Sequence, residues 1–365
     1  MLVNEMFNKQ DKEITFRIGN PIPWESIEKL DISKKAIARR MRKQVYRLGK
    51  KHKPLLFETL NNVIHPAKSR LIRKELKASE LIGTTADGQQ IYLFNYQPNS
   101  SVMREIGRLR EISFRKVREG TGAAIDLDAY DRYYQHLVLW NDNELEIVGA
   151  YRIGDARKIL QSHGMEGLYS HSLFAYTPAM QPYLEHAVEL GRSFIQPRYW
   201  GKRSLDYLWY GIGAWLRKNP QIRYLFGPVS LSASYPPEAQ QLLASFYGRL
   251  FASKHQLANP KQPFVIGNIQ RFDDYYPLQD EAHYKKAFAE LKQAMDTLGV
   301  RVPTLYKQYV ELCHLGGCEF IDFNRDENFS DCIDALIMVD LDKVKAKKRD
   351  RYINSHAQID SSHVA

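Results

Sequence analysis

The sequence predicts a mixed α/β (α+β) fold in which helices flank one central, mostly antiparallel sheet. Two pairs of β-like segments are each joined by a short turn, which is typical of antiparallel hairpins. A strand, a long helix and another strand then follow between residues 187 and 231. No Gly-x-Gly-x-x-Gly follows a predicted strand, which argues against a dinucleotide-binding fold.

The first eighty residues form a basic segment. They hold 19 Lys/Arg against 9 Asp/Glu, whereas the rest of the chain is neutral. Residues 15–19 predict a short strand, and residues 33–48 a helix, because apolar residues recur there every three or four positions. These are Ile37, Met41, Val45 and Leu48. The other faces of this helix are basic, as in helices that rest on anionic membranes. The alternative is that these basic faces are simply exposed to solvent.

Elements in the middle of the chain alternate between hairpins and helices. Asp87-Gly88 and Asn141-Asp142-Asn143 are the expected hairpin turns. The expected elements, in order, are some helix within a linker at 50–80, strands at 81–84 and 90–94, a helix at 101–117, strands at 136–140 and 145–153, and strands at 168–176 and 187–195.

The clearest helix is expected from 204 to 218, where six apolar residues share one side. Ser204 is expected to cap its start and Asn219-Pro220 to end it. The elements expected after it are a strand at 224–231, a helix at 237–251, helices at 281–297 and 303–315, strands at 319–323 and 333–341, and a loose polar tail at 346–365.

Composition limits the classes of protein to which the chain can belong. Its 365 residues fit one large or two unequal domains. It lacks both a signal-like N-terminus and an apolar run approaching the ~18 residues of a membrane span. Three cysteines are too few for a disulfide framework, and Cys313-His314-x-x-x-Cys318 does not have the spacing of a zinc site. We therefore expect a cytoplasmic protein without a metal.

A basic turn lies between the strand at 187–195 and the helix at 204–218. It contains Arg198-Tyr-Trp-Gly201-Lys202-Arg203, followed by Ser204. The free N–H groups of the helix N-terminus, together with these bases, favour a phosphate site. Since acyl donors carry phosphopantetheine, such a site suits acyl transfer. An ordinary turn with solvent-facing arginines explains the local pattern equally well.

Several ordered motifs carry a family resemblance. They are Arg-Leu-Arg110-Glu-Ile-Ser-Phe114, Ile-Asp126-Leu-Asp128-Ala-Tyr-Asp131, Ile-Val-Gly149-Ala-Tyr-Arg152, Glu189-Leu-Gly-Arg192 and Phe226-Gly-Pro-Val-Ser230. Together they resemble the ornithine lipid and glycine lipid N-acyltransferase family, often labelled hemolysin-like. That family is similar to the acyl-homoserine-lactone autoinducer synthases and shares their GNAT-like fold. The resemblance implies one GNAT-like domain over residues 78–345.

The resemblance also implies roles for single residues. Glu189 and Arg192 would be catalytic, with Glu189 taking the proton of the attacking amine through water. The implied substrate-binding residues are Arg110, Phe114, Asp126, Asp128, Asp131, Arg152 and Phe174. The implied donor-binding residues are Phe194, Ile195, Arg198, Gly201, Lys202, Arg203 and Ser204. Carboxylates and arginines together suit a zwitterionic amino acid, although one of the aspartates is instead expected to cap a short helix.

The turn departs from the pattern of acetyl-CoA enzymes in the same fold. Those carry a small residue at the final position of Arg/Gln-x-x-Gly-x-Gly/Ala, where this chain has Arg203. A close diphosphate cradle is therefore not expected. We infer an acyl carrier protein thioester as the co-substrate in preference to acyl-CoA, and no permanently bound cofactor.

Residues 1–77 carry a second resemblance. Phe16-Arg-Ile-Gly-Asn-Pro-Ile and the following basic helix resemble the end of a PlsC-type lysophospholipid acyltransferase. The His-x-x-x-x-Asp pair that such an enzyme needs does not occur in the chain. The remnant implies an anionic membrane surface as a partner through residues 33–53, on the inner face of the bacterial inner membrane, and a separate O-acyltransferase.

The favoured function is therefore transfer of a fatty acyl group, with a 3-hydroxyacyl group preferred, from acyl carrier protein to the α-amino group of ornithine, glycine or a similar amino acid. The product would be a lyso-aminolipid. Two alternatives remain open: a synthase of the acyl-homoserine-lactone type, and a non-enzymatic adaptor that binds membranes or nucleic acid. Nucleic acid is not an expected partner of the favoured enzyme.

Overall fold

The structure is a computed structural model that describes residues 13, 15–50, 54–267 and 269–354. The chain divides into two compact units, one of Met1–Val63 with Gly122–Ala124 and one of Ile64–Thr121 with Ile125–Ala365. The predicted basic segment extended to residue 77, and residues 64–77 belong to the second compact unit. None of the helices among the described residues is both long and apolar enough to cross a bilayer.

The first unit contains helices α1 (Trp24–Glu28) and α2 (Lys34–Arg47). Helix α2 confirms the predicted basic helix, and the Ser33 hydroxyl accepts the N–H of Ala36 at its start. The predicted strand at 15–19 is wrong. Residues 15–20 are irregular, and an isolated strand has no partner for its backbone groups.

The second unit contains an eight-stranded sheet in the order β1-β2-β3-β4-β6-β7-β10-β9 and a two-stranded sheet of β5 and β8. Only the β6–β7 pairing is parallel, so the predicted mostly antiparallel sheet is confirmed. The strands are β1 Glu80–Thr84, β2 Gln90–Asn95, β3 Gln135–Asn141, β4 Glu146–Asp155, β5 Phe174–Tyr176, β6 Ala187–Ile195, β7 Tyr224–Leu231, β8 Ala258–Pro260, β9 Cys318–Asp326 and β10 Cys332–Asp340.

Helices cover both faces of the sheet. Alternate residues of β2 belong to different hydrophobic clusters, Ile91 and Leu93 to one and Tyr92 and Phe94 to the other, as the period of two in a strand requires. The helices of this unit are α3 Ser69–Lys77, α4 Ser101–Lys116, α5 Ala156–His163, α6 Gln181–Leu184, α7 Ser204–Lys218, α8 Pro237–Leu250, α9 Glu281–Thr297, α10 Thr304–Leu312 and α11 Ala346–Arg349.

Helix α3 explains why the unit boundary falls before residue 77. The Glu75 carboxylate accepts the Ser100 hydroxyl at 2.6 Å and the N–H groups of Ser101 and Val102 at 2.9 and 3.1 Å. These bonds satisfy free donors at the start of α4. They tie the predicted linker to the sheet-bearing unit.

Helix α7 spans the predicted residues, but its predicted cap is wrong. Ser204 is the first helical residue and is buried, whereas the N-cap is Arg203, which makes no side-chain cap bond. The C-terminal residues also differ from the expected loose tail. Residues 346–354 form α11 and a π-helical turn, in which Tyr352 donates to Asp206 of α7 at 2.7 Å. Residues 355–365 lie outside the described residues.

Strands β6 and β7 pair for only part of their length. Their parallel register covers Ala187–Glu189 against Tyr224–Phe226. Beyond it β6 continues beside β4, and β7 beside β10. At the point of divergence Gly227 has a φ of 151°, and a Cβ there would collide with the carbonyl oxygen of Leu190. Glycine permits this close approach, and beyond it the two strands no longer pair, so the sheet is open there.

Candidate active site

A β-bulge on β6 places Glu189 and Arg192 on the same side of the sheet. In a regular strand, residues three apart point to opposite faces. Between the pairs Arg152↔Gly191 and Ala150↔Phe194, however, β6 has one more residue than β4. Arg192 lies in this bulge with a φ of 47°, a backbone conformation that is uncommon outside glycine. As a result both side chains reach Tyr169: its N–H donates to Glu189 at 3.0 Å, and the Arg192 guanidinium lies 4.9 Å from its ring centre.

Three arginines and three aspartates form a charged cluster beside this bulge. Arg110 of α4 donates to Asp131 at 2.8 Å, and Arg152 of β4 donates to both oxygens of Asp128 at 2.6 and 2.7 Å. Arg152 also lies 3.4 Å from Asp131. Arg192 is held more loosely, 3.8 Å from Asp126 and 3.7 Å from Asp128. The structure thus brings together seven of the predicted site residues, Arg110, Asp126, Asp128, Asp131, Arg152, Glu189 and Arg192.

The aspartates reach the cluster on a short loop and a 3₁₀ turn. The loop lies against α4 at Gly107, where a Cβ would meet the side chains of Ile125 and Leu127. Asp128 caps the turn Ala129–Arg132, and Asp131 bonds back to the N–H of Asp128 at 2.9 Å. The expected capping role therefore holds for the same two carboxylates that bind arginines.

Burial and charge fix the protonation of the centre. Burial alone would raise the pKa of Asp131, but Arg110 and Arg152 hold that pKa well below its usual value. Burial, together with Arg110, lowers the pKa of His136 to about 4. His136 is therefore neutral at physiological pH, between the Asp131 carbonyl at 3.0 Å and Arg110 at 3.5 Å.

Glu189 organises the loop that covers the cluster. Its carboxylate accepts the N–H groups of Tyr169 and Ser170, at 3.0 and 2.6 Å, and the hydroxyls of Tyr134 and Ser170. These bonds explain why most of the predicted strand at 168–176 is wrong. Backbone donors that a strand would use are bonded to Glu189, so Tyr169–Ser172 is a 3₁₀ turn and only Phe174–Tyr176 is a strand. Four donors fill the acceptor positions of a carboxylate.

Several buried polar atoms of the cluster have no partner within the described residues. They are Nε of Arg110, Nε and Nη2 of Arg152, Nε of Arg192 and Oδ2 of Asp126. Buried polar atoms are seldom left without a hydrogen bond in native proteins. The arginine donors match the carboxylate of a small zwitterion, and the carboxylate oxygen of Asp126 matches its ammonium.

A cleft of about 740 Å³ lies where β6 and β7 diverge. This volume is within the usual range of small-molecule sites. Its lining comes from both divergent strands, the end of α4, the turn before α7 and the start of α10. Of the predicted donor-binding residues, Phe194, Ile195, Gly201 and Lys202 line it.

The remaining bases of the turn are engaged elsewhere. Arg198 pairs with Glu146 at 2.8 Å and Glu144 at 3.4 Å, and Arg203 lies 3.5 Å from Asp206. The Lys202 ammonium lies 4.7 Å from the centre of the Tyr199 ring. Of the three bases, Lys202 is the one without an ion pair among the described residues.

The charged cluster and the cleft meet at two aromatic rings. Phe114 lines the cleft and packs edge-on against Phe329 at 5.2 Å, and the Arg192 guanidinium lies 4.7 Å from the Phe329 ring centre. Phe174, by contrast, is fully buried in the hydrophobic cluster that contains Leu184 and Phe226. Its position favours a packing role.

Comparison with known proteins identifies the family. The acetyltransferase (GNAT) domain family matches residues 109–210, which include the cluster and the basic turn. The glycine N(alpha)-acyltransferase of Phocaeicola vulgatus is 30% identical over 310 residues, covering 81% of this chain and 94% of that protein. The chain belongs to the amino-acid N-acyltransferase family.

Two further proteins are similar to the chain. The L-ornithine N(alpha)-acyltransferase of Rhizobium meliloti is 29% identical over 238 residues, 63% of this chain and 70% of that protein. Among solved structures, the AHL synthase LasI aligns over 73% of this chain and 95% of its own, with 12% identity and a TM-score of 0.35. The predicted family and the predicted transferase activity are confirmed.

Sequence reasoning missed several residues that lie at the charged cluster or line the cleft. Tyr169, Phe329 and the buried carboxylates Glu119 and Asp334 lie outside the family motifs. A single sequence does not indicate which carboxylates the fold will bury. The two-residue spacing of Cys332 and Asp334 on a strand does predict that they share a face. No group of three or more His, Cys, Asp or Glu among the described residues has a metal-binding arrangement.

Proposed function

We propose that the protein transfers a fatty acyl group from a carrier-bound thioester to the α-amino group of a small amino acid such as glycine or ornithine. The product is an amide-linked lyso-aminolipid. One observation carries this proposal: the cleft between β6 and β7 adjoins the charged cluster, in which several buried polar atoms have no hydrogen-bond partner within the described residues. The family to which the chain belongs supports the same chemistry.

The acceptor amino acid binds at the charged cluster. Its carboxylate takes the unpartnered donors of Arg152 and Arg192, and its ammonium faces Asp126. Arg110 donates to Asp131, and Asp131 also accepts from Arg152, so these residues position the cluster. The ion pair between Arg152 and Asp128 likewise holds in place the loop that carries the aspartates.

The acyl donor occupies the cleft. Where the strands diverge, β6 and β7 no longer bond to each other, so the amides of a pantetheine arm can run between them as an added strand does. Lys202 and the free N–H groups at the start of α7 receive the phosphate. Since Arg198 and Arg203 are ion-paired, the turn suits the single phosphodiester of acyl carrier protein better than the diphosphate of coenzyme A. A 3-hydroxyacyl chain is the proposed cargo, and a separate O-acyltransferase would complete the lipid.

Glu189 is a positioning residue in this proposal. The sequence assigned it as the proton acceptor, but its acceptor positions are occupied by four donors. It holds the Tyr169–Ser172 turn over the cluster, where the Tyr169 ring lies 4.9 Å from both Arg152 and Arg192. Arg192 binds substrate directly.

An assay with purified protein tests the proposal. The protein is given 3-hydroxyacyl carrier protein or the corresponding acyl-CoA, with glycine, ornithine or S-adenosylmethionine, and the products are analysed by mass spectrometry. We expect an N-acyl amino acid, formed faster from the carrier protein. A homoserine lactone product would favour the synthase alternative. Folded protein that forms no amide from either donor contradicts the proposal.

A further inference from the structure

Glu119 is a buried carboxylate at the cleft that the mechanism has not used. It follows α4 closely, is 8% exposed and lines the cleft beside Phe114. Among the described residues that line the cleft, it is the one aspartate, glutamate or histidine. The cleft therefore contains a single candidate for a neutral-pH base.

Two hydrogen bonds hold Glu119 in place. Its N–H donates to the Phe114 carbonyl at 2.8 Å, and the Ser230 hydroxyl donates to its Oε2 at 2.8 Å. Ser230 lies on β7 beyond the point where the strand leaves β6. Within the described residues Oε1 has no hydrogen-bond donor, in contrast to the saturated oxygens of Glu189.

The groups around Glu119 leave it able to ionise near neutral pH. Asp334 and Cys332 face it from β10, Tyr306 from α10, and Tyr235 from the connection after β7. Burial raises the pKa of Asp334 to about 8 and raises the pKa values of Cys332, Tyr235 and Tyr306. Burial also raises the pKa of Glu119 to about 7, although the bond from Ser230 opposes it.

The charged cluster lies close to this carboxylate. Asp334 interacts electrostatically with both Glu119 and Arg192. Phe114 lines the cleft and packs on Phe329, whose ring contacts Arg192. An amino acid whose carboxylate is bound by Arg192 therefore lies beside the part of the cleft that Glu119 lines.

We propose that Glu119, oriented by Ser230, is the base that deprotonates the α-ammonium of the acceptor within the cleft. This inference rests on the proposed function, because it names the group that prepares the nucleophile. Glu119 takes this role in place of Glu189.

The reaction balances with one net proton released. The ammonium gives a proton to Oε1 of Glu119, and the amine nitrogen then bonds to the thioester carbonyl carbon. As the carbon–sulfur bond breaks, the second proton of the nitrogen passes to the leaving thiolate. The products are the amide, a thiol and protonated Glu119, which returns its proton to solvent.

The first test compares Glu119→Gln with wild type. We expect kcat to fall ~10²–10⁴-fold, as for loss of a general base, with no loss of melting temperature and an unchanged KM for the acyl donor. Glu238→Gln, which removes an exposed carboxylate of α8, is the matched control and keeps wild-type rates.

The second test uses Ser230→Ala and the pH profile of kcat/KM. Wild type should lose activity as pH falls below about 7, because protonated Glu119 cannot accept a proton. Loss of the Ser230 bond should move this midpoint to higher pH. Ser245→Ala removes a buried hydroxyl on α8 and should leave the midpoint in place. A purely structural Ser230 would not move it.

The outcomes separate this inference from the proposed function. If wild type forms no amide, the proposed function fails. If wild type forms amide, while Glu119→Gln retains its rate and Ser230→Ala its midpoint, the assignment of Glu119 is overturned and the function stands. If Glu119→Gln fails to fold, the midpoint of the pH profile of Ser230→Ala alone tests the assignment of Glu119.

Discussion

The three arginines of the charged cluster differ in how closely their guanidinium groups contact carboxylates. Arg110 and Arg152 make charged hydrogen bonds of 2.6 to 2.8 Å and are fully buried. Removing either would leave a buried carboxylate unpaired, which typically costs 3–5 kcal/mol. The ion contacts of Arg192 within the described part of the chain are longer than 3.6 Å, and its backbone conformation is strained. Such strain is typical of functional positions.

Arg192→Lys should therefore damage function more than stability. Lysine keeps the charge but loses the planar fork that binds a carboxylate. We expect the KM for the amino acid to rise about tenfold or more, with a melting temperature close to that of wild type. Steady-state kinetics and thermal unfolding measure the two effects. Arg198→Lys, at an exposed ion pair, is the matched control, and an equal rise in KM there would contradict the assignment.

The raised pKa of Glu119 also predicts how the free energy of unfolding depends on pH. Its pKa is raised from 4.5 to about 7 by burial, so the folded state binds the proton more tightly than the unfolded state. This contribution to stability is complete below about pH 4.5 and is lost as pH rises through 7. Asp334, with a pKa raised to about 8 by burial, acts in the same direction.

Glu119→Gln should flatten this dependence. At pH 8 its free energy of unfolding should exceed that of wild type by about 3 kcal/mol, the equivalent of a shift of roughly 2.5 pKa units. Urea unfolding at a series of pH values measures it. Glu238→Gln should follow the wild-type curve, and a parallel pH dependence in Glu119→Gln would contradict the burial argument.

At the scale of elements, two local irregularities of the sheet create the site. The bulge on β6 turns Arg192 toward the cluster, and the short β6–β7 pairing opens the cleft. Both occur where regular pairing would have closed the sheet. The Glu-x-x-Arg motif therefore depends on a backbone irregularity at its second named residue, Arg192.

Gly227→Ala tests the divergence of the strands. The φ of 151° disfavours alanine, and the added Cβ would collide with Leu190. We expect a loss of stability of about 2 kcal/mol or more, together with weaker acyl-donor binding. Unfolding and donor KM measure both effects. Gly49→Ala should change neither, because Gly49 has an ordinary φ and a Cβ there would make only an ordinary contact with the Arg17 side chain at 3.5 Å.

At the scale of the whole molecule, the first unit carries the basic character of the chain. Its helix α2 exposes Val45 (64%) and Tyr46 (65%) among lysines and arginines. Phe16 and Ile18 of the same unit are also exposed. We propose that this unit places the enzyme on the anionic inner face of the membrane, where an acylated product is released.

Vesicle sedimentation tests this membrane role. Full-length protein should bind phosphatidylglycerol vesicles but not phosphatidylcholine vesicles, and 0.5 M salt should weaken binding because screening shortens the reach of charge. Val45→Glu combined with Tyr46→Glu should reduce binding at least tenfold and leave amide synthesis from soluble donor unchanged. The proposal would be contradicted if binding were equal on both kinds of vesicle and unchanged in this double variant.

The sequence by itself determined the elements with strong periodicity and the identity of the charged residues. Helix α7, strand β6 and strand β7 have the predicted bounds, because their apolar patterns and turn residues are local properties of the chain. The family motifs also named the arginines and aspartates that meet in the cluster.

Tertiary structure alone decided what these residues do to one another. The Glu189 bonds turned a predicted strand into a 3₁₀ turn, since they take backbone donors from a segment twenty residues away. The pKa of Glu119 is raised by burial, and its neighbours Ser230, Tyr306 and Asp334 come from β7, α10 and β10. Long-range contacts of this kind depend on how the sheet opens and which side chains it covers, and a pattern of neighbouring residues does not contain them.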